Sequence, residues 1–325
     1  MTLLTHVPKD MRVMPKYRFY QIDVFTDHAF GGNPLAVFPN ADGLDTPTMQ
    51  RLAREMNLSE TAFVFPSDEP GADFKVRIFT PEVELPFAGH PVVGTHWLLA
   101  HLGRINLQTP VTRVNFDLKV GIRAAALHVQ DGHVTRVTMD HMRPQFGPKA
   151  TDDQVALLAQ ALGLGVESIL ATGLPVQVVS SGNPQLFVPV RTLKSVQALH
   201  PDKQDRAMII RTCEAIDPKL HALVMTFTLE TVNADSHVHT RAFVPGGGIP
   251  EDPATGSASG GLGAYLIENR VIKAAPPTTR IVAEQGLEMG RPSKIEIEVD
   301  GEPGDVSMVR VSGQAVPLIE GTIEW

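Results

Sequence analysis

Two stretches decide the reading of this chain: FTPEVELPFAGHPVVGTHWLL (79–99) and PGGGIPEDPATGSASGGLGAYL (245–266). Each leads from a strand-like segment through a short loop to a proline that opens a long apolar run. Residues 91–102 and 253–269 are apolar nearly all round, the pattern of helices buried inside a fold. Proline is well placed at the first helical position, so the helices are expected to start at Pro91 and Pro253, with His90 and Asp252 at or beside their N-caps.

Working outward, other motifs recur in the same order. Gly32-Asn33-Pro34 answers to Gly182-Asn183-Pro184, and Arg77-Ile78-Phe79-Thr80-Pro81 to Arg241-Ala242-Phe243-Val244-Pro245. In this register His90 stands opposite Asp252, Gly94 opposite Gly256 and Thr95 opposite Ser257, with spacings from the arginine of 13 and 11 residues. Three motifs in one order indicate a duplicated fold.

Alternation of apolar and polar residues predicts strands over 19–25, 35–38, 61–65 and 74–79, then 124–130 and 134–140, then 185–190, 222–228 and 237–244. Met49, Leu52, Ala53 and Met56 give the helical spacing for 47–57, capped by Asp45 or Thr46. Further helices are expected over 152–162, ended by Gly163, and over 203–215.

With 325 residues the chain suits two domains. A net charge of −8 argues against nucleic acid or an anionic membrane surface as partner. The single cysteine, Cys213, excludes an internal disulfide, a cysteine-only metal cluster and any two-thiol mechanism. His6, Pro8, Lys9 and Asp10 interrupt any apolar stretch near the start, and no run of apolar residues reaches membrane-spanning length. A cytoplasmic protein is expected, with residues 1–16 as a flexible extension. No cofactor and no metal are expected. The glycines at 246–248 are not followed by a dinucleotide fingerprint, 256–261 is not a nucleophile elbow, and His237-x-His239 lacks a third ligand.

The two opening stretches, with DVFTDHAFGGNPLAVF (23–38) and NLSETAFVF (57–65), resemble the phenazine-biosynthesis PhzF-like family, from Tyr17 to the C-terminus. The resemblance implies an α+β fold of the diaminopimelate epimerase type. Two pseudo-symmetric domains each wrap a curved, mostly antiparallel sheet around a central apolar helix, with the active site between them. The expected division is 17–145, joined by the returning strand 314–325, and 146–313.

Two facing helix starts present unpaired N–H groups and partial positive charge, which favours a carboxylate. Thr95, Thr255 and Ser257 add hydroxyls. Taken alone, Asp252 is equally a helix cap, and Glu60 reads as a solvated turn residue. The resemblance makes Glu60 the proton-shuttling acid/base, His90 and Asp252 its catalytic partners, and Ser59, Gly89, Thr255, Gly256 and Ser257 substrate-binding residues. Epimerases of this fold use two cysteines at the helix starts. In this chain His90 and Asp252 stand at those places in the motif register, and the second half offers no counterpart of Glu60. A single carboxylate suits moving a proton between two carbons on one face.

The expectation is therefore a cofactor-independent isomerase, homodimeric as in the family. Its substrate would be a small carboxylated, amino acid-like metabolite such as trans-2,3-dihydro-3-hydroxyanthranilate. A racemase or epimerase, or a non-catalytic carboxylate-binding protein, are the alternatives. Asp252 is expected to pair either with His90 or with an amino group of the substrate.

Overall fold

The computed structural model describes residues 15–220, 222–247 and 249–325. Most of the extension expected over 1–16 thus lies outside the described residues, and the first strand begins at Lys16. The first half runs β1 (Lys16–Val24), β2 (Asn33–Phe38), α1 (Thr46–Met56), β3 (Glu60–Phe65), β4 (Phe74–Phe79), β5 (Glu84–Leu85), α2 (Gly89–His101), β6 (Val111–Leu118), β7 (Gly121–Gln130) and β8 (His133–Asp140). Then come β9 (Gln145–Lys149), α3 (Asp152–Leu162) and α4 (Glu167–Leu170). The second half runs β10 (Gln177–Ser180), β11 (Pro184–Pro189), α5 (Leu193–Gln197), α6 (Arg206–Ile216), β12 (Val224–Thr228), β13 (Val238–Val244), β14 (Ile249–Asp252), α7 (Gly256–Glu268), β15 (Thr278–Gln285), β16 (Ser293–Glu302), β17 (Asp305–Gly313) and β18 (Ala315–Glu324).

Strand pairing repeats. In the first half β1–β2 is antiparallel, β2–β3 parallel, β3–β4 antiparallel, β4–β6 parallel, and β6–β7 and β7–β8 antiparallel. The pairs β10–β11, β11–β12, β12–β13, β13–β15, β15–β16 and β16–β17 follow the same sequence of senses. The halves join through antiparallel β8 and β17. Each half then sends its next strand to the other: β9 pairs with β10, and β18 returns to β1.

Both parallel pairs in each half are bridged by helices, as parallel strands require. Helix α2 packs against β1, β2, β7 and β8, and α7 against β10, β11, β16 and β17. Both are buried on all sides, so they need small residues where the sheet comes close. A β-carbon on Gly94 would lie 2.6 Å from Val24 and 2.8 Å from Leu35. Helix α1 covers the outer face of the first half, laying Met49, Leu52 and Ala53 on Phe38, Phe63 and Phe79. Helices α3 and α6 cover the second in the same way.

Three helix starts differ from expectation. The helix expected over 203–215 begins at Arg206, because Asp205 caps it by accepting from the Met208 N–H at 2.9 Å; Pro201–Lys203 forms a separate single turn. Helix α2 begins at Gly89, so Pro91 is its third residue. Helix α7 begins at Gly256, with Pro253 outside it, because Asp252 still belongs to β14 and pairs with Ala242.

Each half carries the same arginine–glutamate fork. Arg77 Nε and Nη2 donate to Glu84 at 2.7 and 2.9 Å, and Arg241 to Glu251 at 2.7 Å through both nitrogens. The guanidinium groups lie over Phe79 and Phe243. Only the second fork is fully buried. Glu251→Ala should therefore cost about 3–5 kcal/mol by stranding a buried cation, and Glu84→Ala about 1 kcal/mol or less. Urea midpoints of the two variants check this, and equal losses would refute it.

Candidate active site

The two central helices meet end to end. A β-carbon on Gly89 would lie 3.0 Å from the Ser257 nitrogen, and one on Gly256 would lie 3.8 Å from the His90 nitrogen. Neither helix has a side-chain cap: the N-cap residues are Ala88 and Thr255, and Thr255 makes no capping bond. Helices α1, α3, α5 and α6 are all capped by side chains. The first-turn N–H groups of α2 and α7 thus converge on one point with no side chain of their own to satisfy them.

This geometry corrects the register of the repeat. Both helices have 13 residues, and Gly89 is equivalent to Gly256. Leu85 pairs with Ile78 where Asp252 pairs with Ala242. The true correspondence is Glu84-Leu85-Pro86-Phe87-Ala88-Gly89-His90 with Glu251-Asp252-Pro253-Ala254-Thr255-Gly256-Ser257. His90 answers to Ser257, not to Asp252, whose counterpart is Leu85. Glu60 likewise answers to Leu223, since Thr61 pairs with Phe79 as Val224 pairs with Phe243. Each half contributes one acidic residue where the other half has leucine.

Glu60 opens β3 and His90 is the second residue of α2; their side chains are 14% and 5% exposed. His90 Nε2 lies 3.4 Å from Glu60 Oε2, yet neither atom has an aligned hydrogen-bond partner among the described residues. Burial lowers the His90 pKa to about 3, so the imidazole is neutral. Burial, with the nearby Asp252 charge, raises Glu60 to about 8. The contact is therefore between a neutral ring and a protonated carboxyl group rather than between ions.

Asp252, 8% exposed, has the opposite surroundings. Its Oδ1 accepts from Asn33 Nδ2 at 2.8 Å, and its Oδ2 from the Thr255 hydroxyl at 2.6 Å. Gln285 Nε2 donates to the Asp252 carbonyl at 2.7 Å and to Thr255 Oγ1 at 3.0 Å, which leaves the Thr255 proton for Asp252. Burial raises the Asp252 pKa to about 6, held below that of Glu60 by hydrogen bonds from Thr255, Asn33 and Ser59. Of the two carboxylates, Asp252 is the one held as an anion and Glu60 the one that carries a proton.

The residues singled out from sequence thus fall together, with changes of detail. Asp252 pairs with Asn33 and Thr255 and is not a helix cap, while the partner of His90 is Glu60. The Thr255 hydroxyl is spent on Asp252. Gly89, Gly256 and Ser257 lie at the helix junction, and Ser59 lies beside Asp252. Asn33 and Gln285 were not singled out as site residues. The repeated Gly-Asn-Pro signalled Asn33; Gln285 carried no signal, being one polar residue at a strand end. His239 is buried between Glu284 and Glu288, at 2.8 and 3.0 Å. Cys213 is buried in α6, where burial pushes its thiol up to about 12. Two surface cavities, of 730 and 330 Å³, lie elsewhere and are not lined by Glu60, His90 or Asp252.

This arrangement can be set beside known proteins. The phenazine biosynthesis-like protein family, PhzC-PhzF, matches residues 22–321. The chain belongs to that family. A trans-2,3-dihydro-3-hydroxyanthranilate isomerase from Pseudomonas aeruginosa is 36% identical over 305 residues, covering 94% of this chain and 98% of that protein. An uncharacterized isomerase from Clostridium acetobutylicum is 33% identical over 310 residues, covering 95% and 98%. A solved structure, the phenazine biosynthesis protein of the PhzF family from Bacillus anthracis, superposes with a TM-score of 0.81 at 28% identity, covering 95% and 99%. The α+β epimerase-like fold expected from the motifs is the fold found, and this PhzF-family chain is an isomerase. Among the described residues no helix is long and apolar enough to cross a membrane.

Proposed function

We propose that this isomerase moves a proton between two carbons of a small carboxylated, amino-bearing metabolite of the trans-2,3-dihydro-3-hydroxyanthranilate kind, with Glu60 as the only proton carrier. The observation that carries the reading is the contrast between the two carboxylates. Asp252 has both oxygens engaged by the protein, whereas Glu60 Oε2, buried 3.4 Å from His90 Nε2, has no donor among the described residues. With Leu223 in the equivalent place of the second half, the other face of a bound substrate meets no matching base.

In this reading the ligand carboxylate sits on the first-turn N–H groups of Gly89, His90, Gly256 and Ser257, where the two helix dipoles add. The Asp252 anion receives the substrate amine. Glu60 acts in its ionised form, having given its proton to solvent before the site closes; it takes a proton from one carbon and returns it to another on the same face, and the double bond shifts between them. His90, neutral, donates from Nε2 to the carboxylate that Glu60 becomes.

The reacting groups are buried, so substrate entry requires the halves to part. Cross-half bonds close the site: Asn33 to Asp252, Arg291 to Asp23 at 2.6 Å, and Gly32 N–H to the Pro292 carbonyl at 3.0 Å. Closure also keeps the travelling proton from exchanging with water.

The test uses trans-2,3-dihydro-3-hydroxyanthranilate labelled with deuterium at the carbon that loses its proton, turned over in ordinary water. A single carrier in a closed site should deliver part of the label to the accepting carbon, as read by mass spectrometry and NMR. Inversion at one carbon with no shift of the double bond would identify an epimerase instead.

A further inference from the structure

Gln185 lies on β11, 1% exposed. Its Nε2 is 3.4 Å from the Ser257 hydroxyl, and its Oε1 has no hydrogen-bond partner among the described residues. A buried amide oxygen left without a donor is destabilising, so its persistence calls for an explanation. Its position supplies one. A β-carbon on Gly261 would come within 3.3 Å of that oxygen and 2.9 Å of the Phe187 ring, so the oxygen lies beside α7 about one turn beyond Ser257 at the helix junction. The adjoining wall is polar too. His141 Nδ1 lies 2.9 Å from the Ser181 hydroxyl, both against Gly260, and His141 Nε2 also lacks a partner among the described residues.

The internal repeat shows that this wall is not demanded by the fold. Through the Gly-Asn-Pro motifs, Gln185 answers to Leu35, and the corresponding turn of α2, at Gly94, meets Val24, Leu35 and Ile22. One half packs its central helix with hydrocarbon at this level. The other sets a carboxamide beside the Phe187 ring there and leaves its oxygen unpaired among the described residues.

We propose that Gln185 is a substrate-recognition residue: its Oε1 accepts a hydrogen bond from an amine or hydroxyl on the ligand whose carboxylate rests on the helix junction. This role rests on the proposed seating of that carboxylate. It assigns the substrate a second polar group, a donor, lying toward the second half of the protein and away from Glu60.

The test is calorimetric titration of the full chain with three probes: benzoate, which has a carboxylate only, anthranilate, which adds an amine, and 3-hydroxybenzoate, which adds a hydroxyl. Wild type should bind at least one donor-bearing probe about tenfold more tightly than benzoate, the factor that one hydrogen bond of about 1.4 kcal/mol provides. Gln185→Met, unbranched and close in volume, should lower that preference about tenfold and leave benzoate within about twofold, and Gln185→Leu, which copies Leu35, should do the same; a preference carried by Asp252 alone would persist in both variants and overturn the role of Gln185. No preference in wild type, or equal loss of all three probes in both variants, would overturn the role of Gln185 while leaving the carboxylate site standing. Failure of wild type to bind any of the three would overturn both. Because the wild-type preference is itself a test, the proposal stays exposed even if a variant fails to fold.

Discussion

Replacing Glu60 by glutamine is expected to lower turnover by about 10²–10⁴-fold, the range of a lost general acid/base, while ligand affinity changes little. The carboxamide keeps the volume and a hydrogen-bonding face toward His90, so the cleft need not rearrange. It cannot take a proton from carbon. Asp252 cannot stand in, because both its oxygens are engaged by Asn33 and Thr255, and His90, whose pKa burial lowers to about 3, is too weak a base. Steady-state turnover and solvent-deuterium uptake measure the loss. A variant that retains a tenth of wild-type exchange would show that another group carries the proton.

The same substitution makes a second claim, about stability. The Glu60 pKa rises on folding from 4.5 to about 8. Between those values the folded protein holds a proton that the unfolded chain releases. The stability contributed by this group is therefore full below pH 4.5 and is lost as the pH rises through about 8. Glutamine does not titrate. Relative to wild type, Glu60→Gln should gain resistance to urea as the pH is raised from about 4 to about 9. Parallel curves across that range would mean that Glu60 is not buried as an acid.

Much of this site was legible before any coordinates, and what was misread has a physical reason. The repeat and the apolar helices could be read because buried helices must be apolar all round and close approaches need glycine. The register went astray at His90-Pro91 and Asp252-Pro253. Two X-Pro steps look alike, and the preference of proline for the first helical position placed both helix starts wrongly. Proline is tolerated at the third position of α2 because N–H groups of the first turn lack an intrahelical acceptor in any case. In α7 it stands outside the helix, held by β14 and by the Ser293 hydroxyl on its carbonyl. The better register was present in the Glu, Pro and Gly shared by 84–90 and 251–257, and the forks Arg77–Glu84 and Arg241–Glu251 fix it in space. Asn33, Gln185 and Gln285 were harder. Burial of a lone polar residue in a strand is a tertiary property, and alternation makes such residues look solvent-facing.

The corrected register changes what Asp252 is for, and that can be measured. Asp252→Asn should lower kcat/KM by about 10- to 100-fold, the worth of a charge-assisted hydrogen bond to the substrate amine. It should also move the pH profile in a stated direction. With Glu60 as the base, the active form is ionised, and log kcat/KM should rise with pH toward a plateau above about pH 8. The Asp252 anion disfavours a second charge beside it and so holds this limb up. Removing that anion favours ionised Glu60, and the limb should move to lower pH. Burial is the larger cause of the raised pKa, so the limb should stop short of 4.5, the ordinary value of a glutamate. The surroundings accept the change, since the new amide oxygen can take the Asn33 bond and its nitrogen can donate to Thr255 Oγ1. A structural lesion alone would lower the plateau without moving the limb. A shift to higher pH would overturn the claim that the Asp252 anion holds the Glu60 limb up, and a loss as large as that of Glu60→Gln would make Asp252 the proton carrier instead.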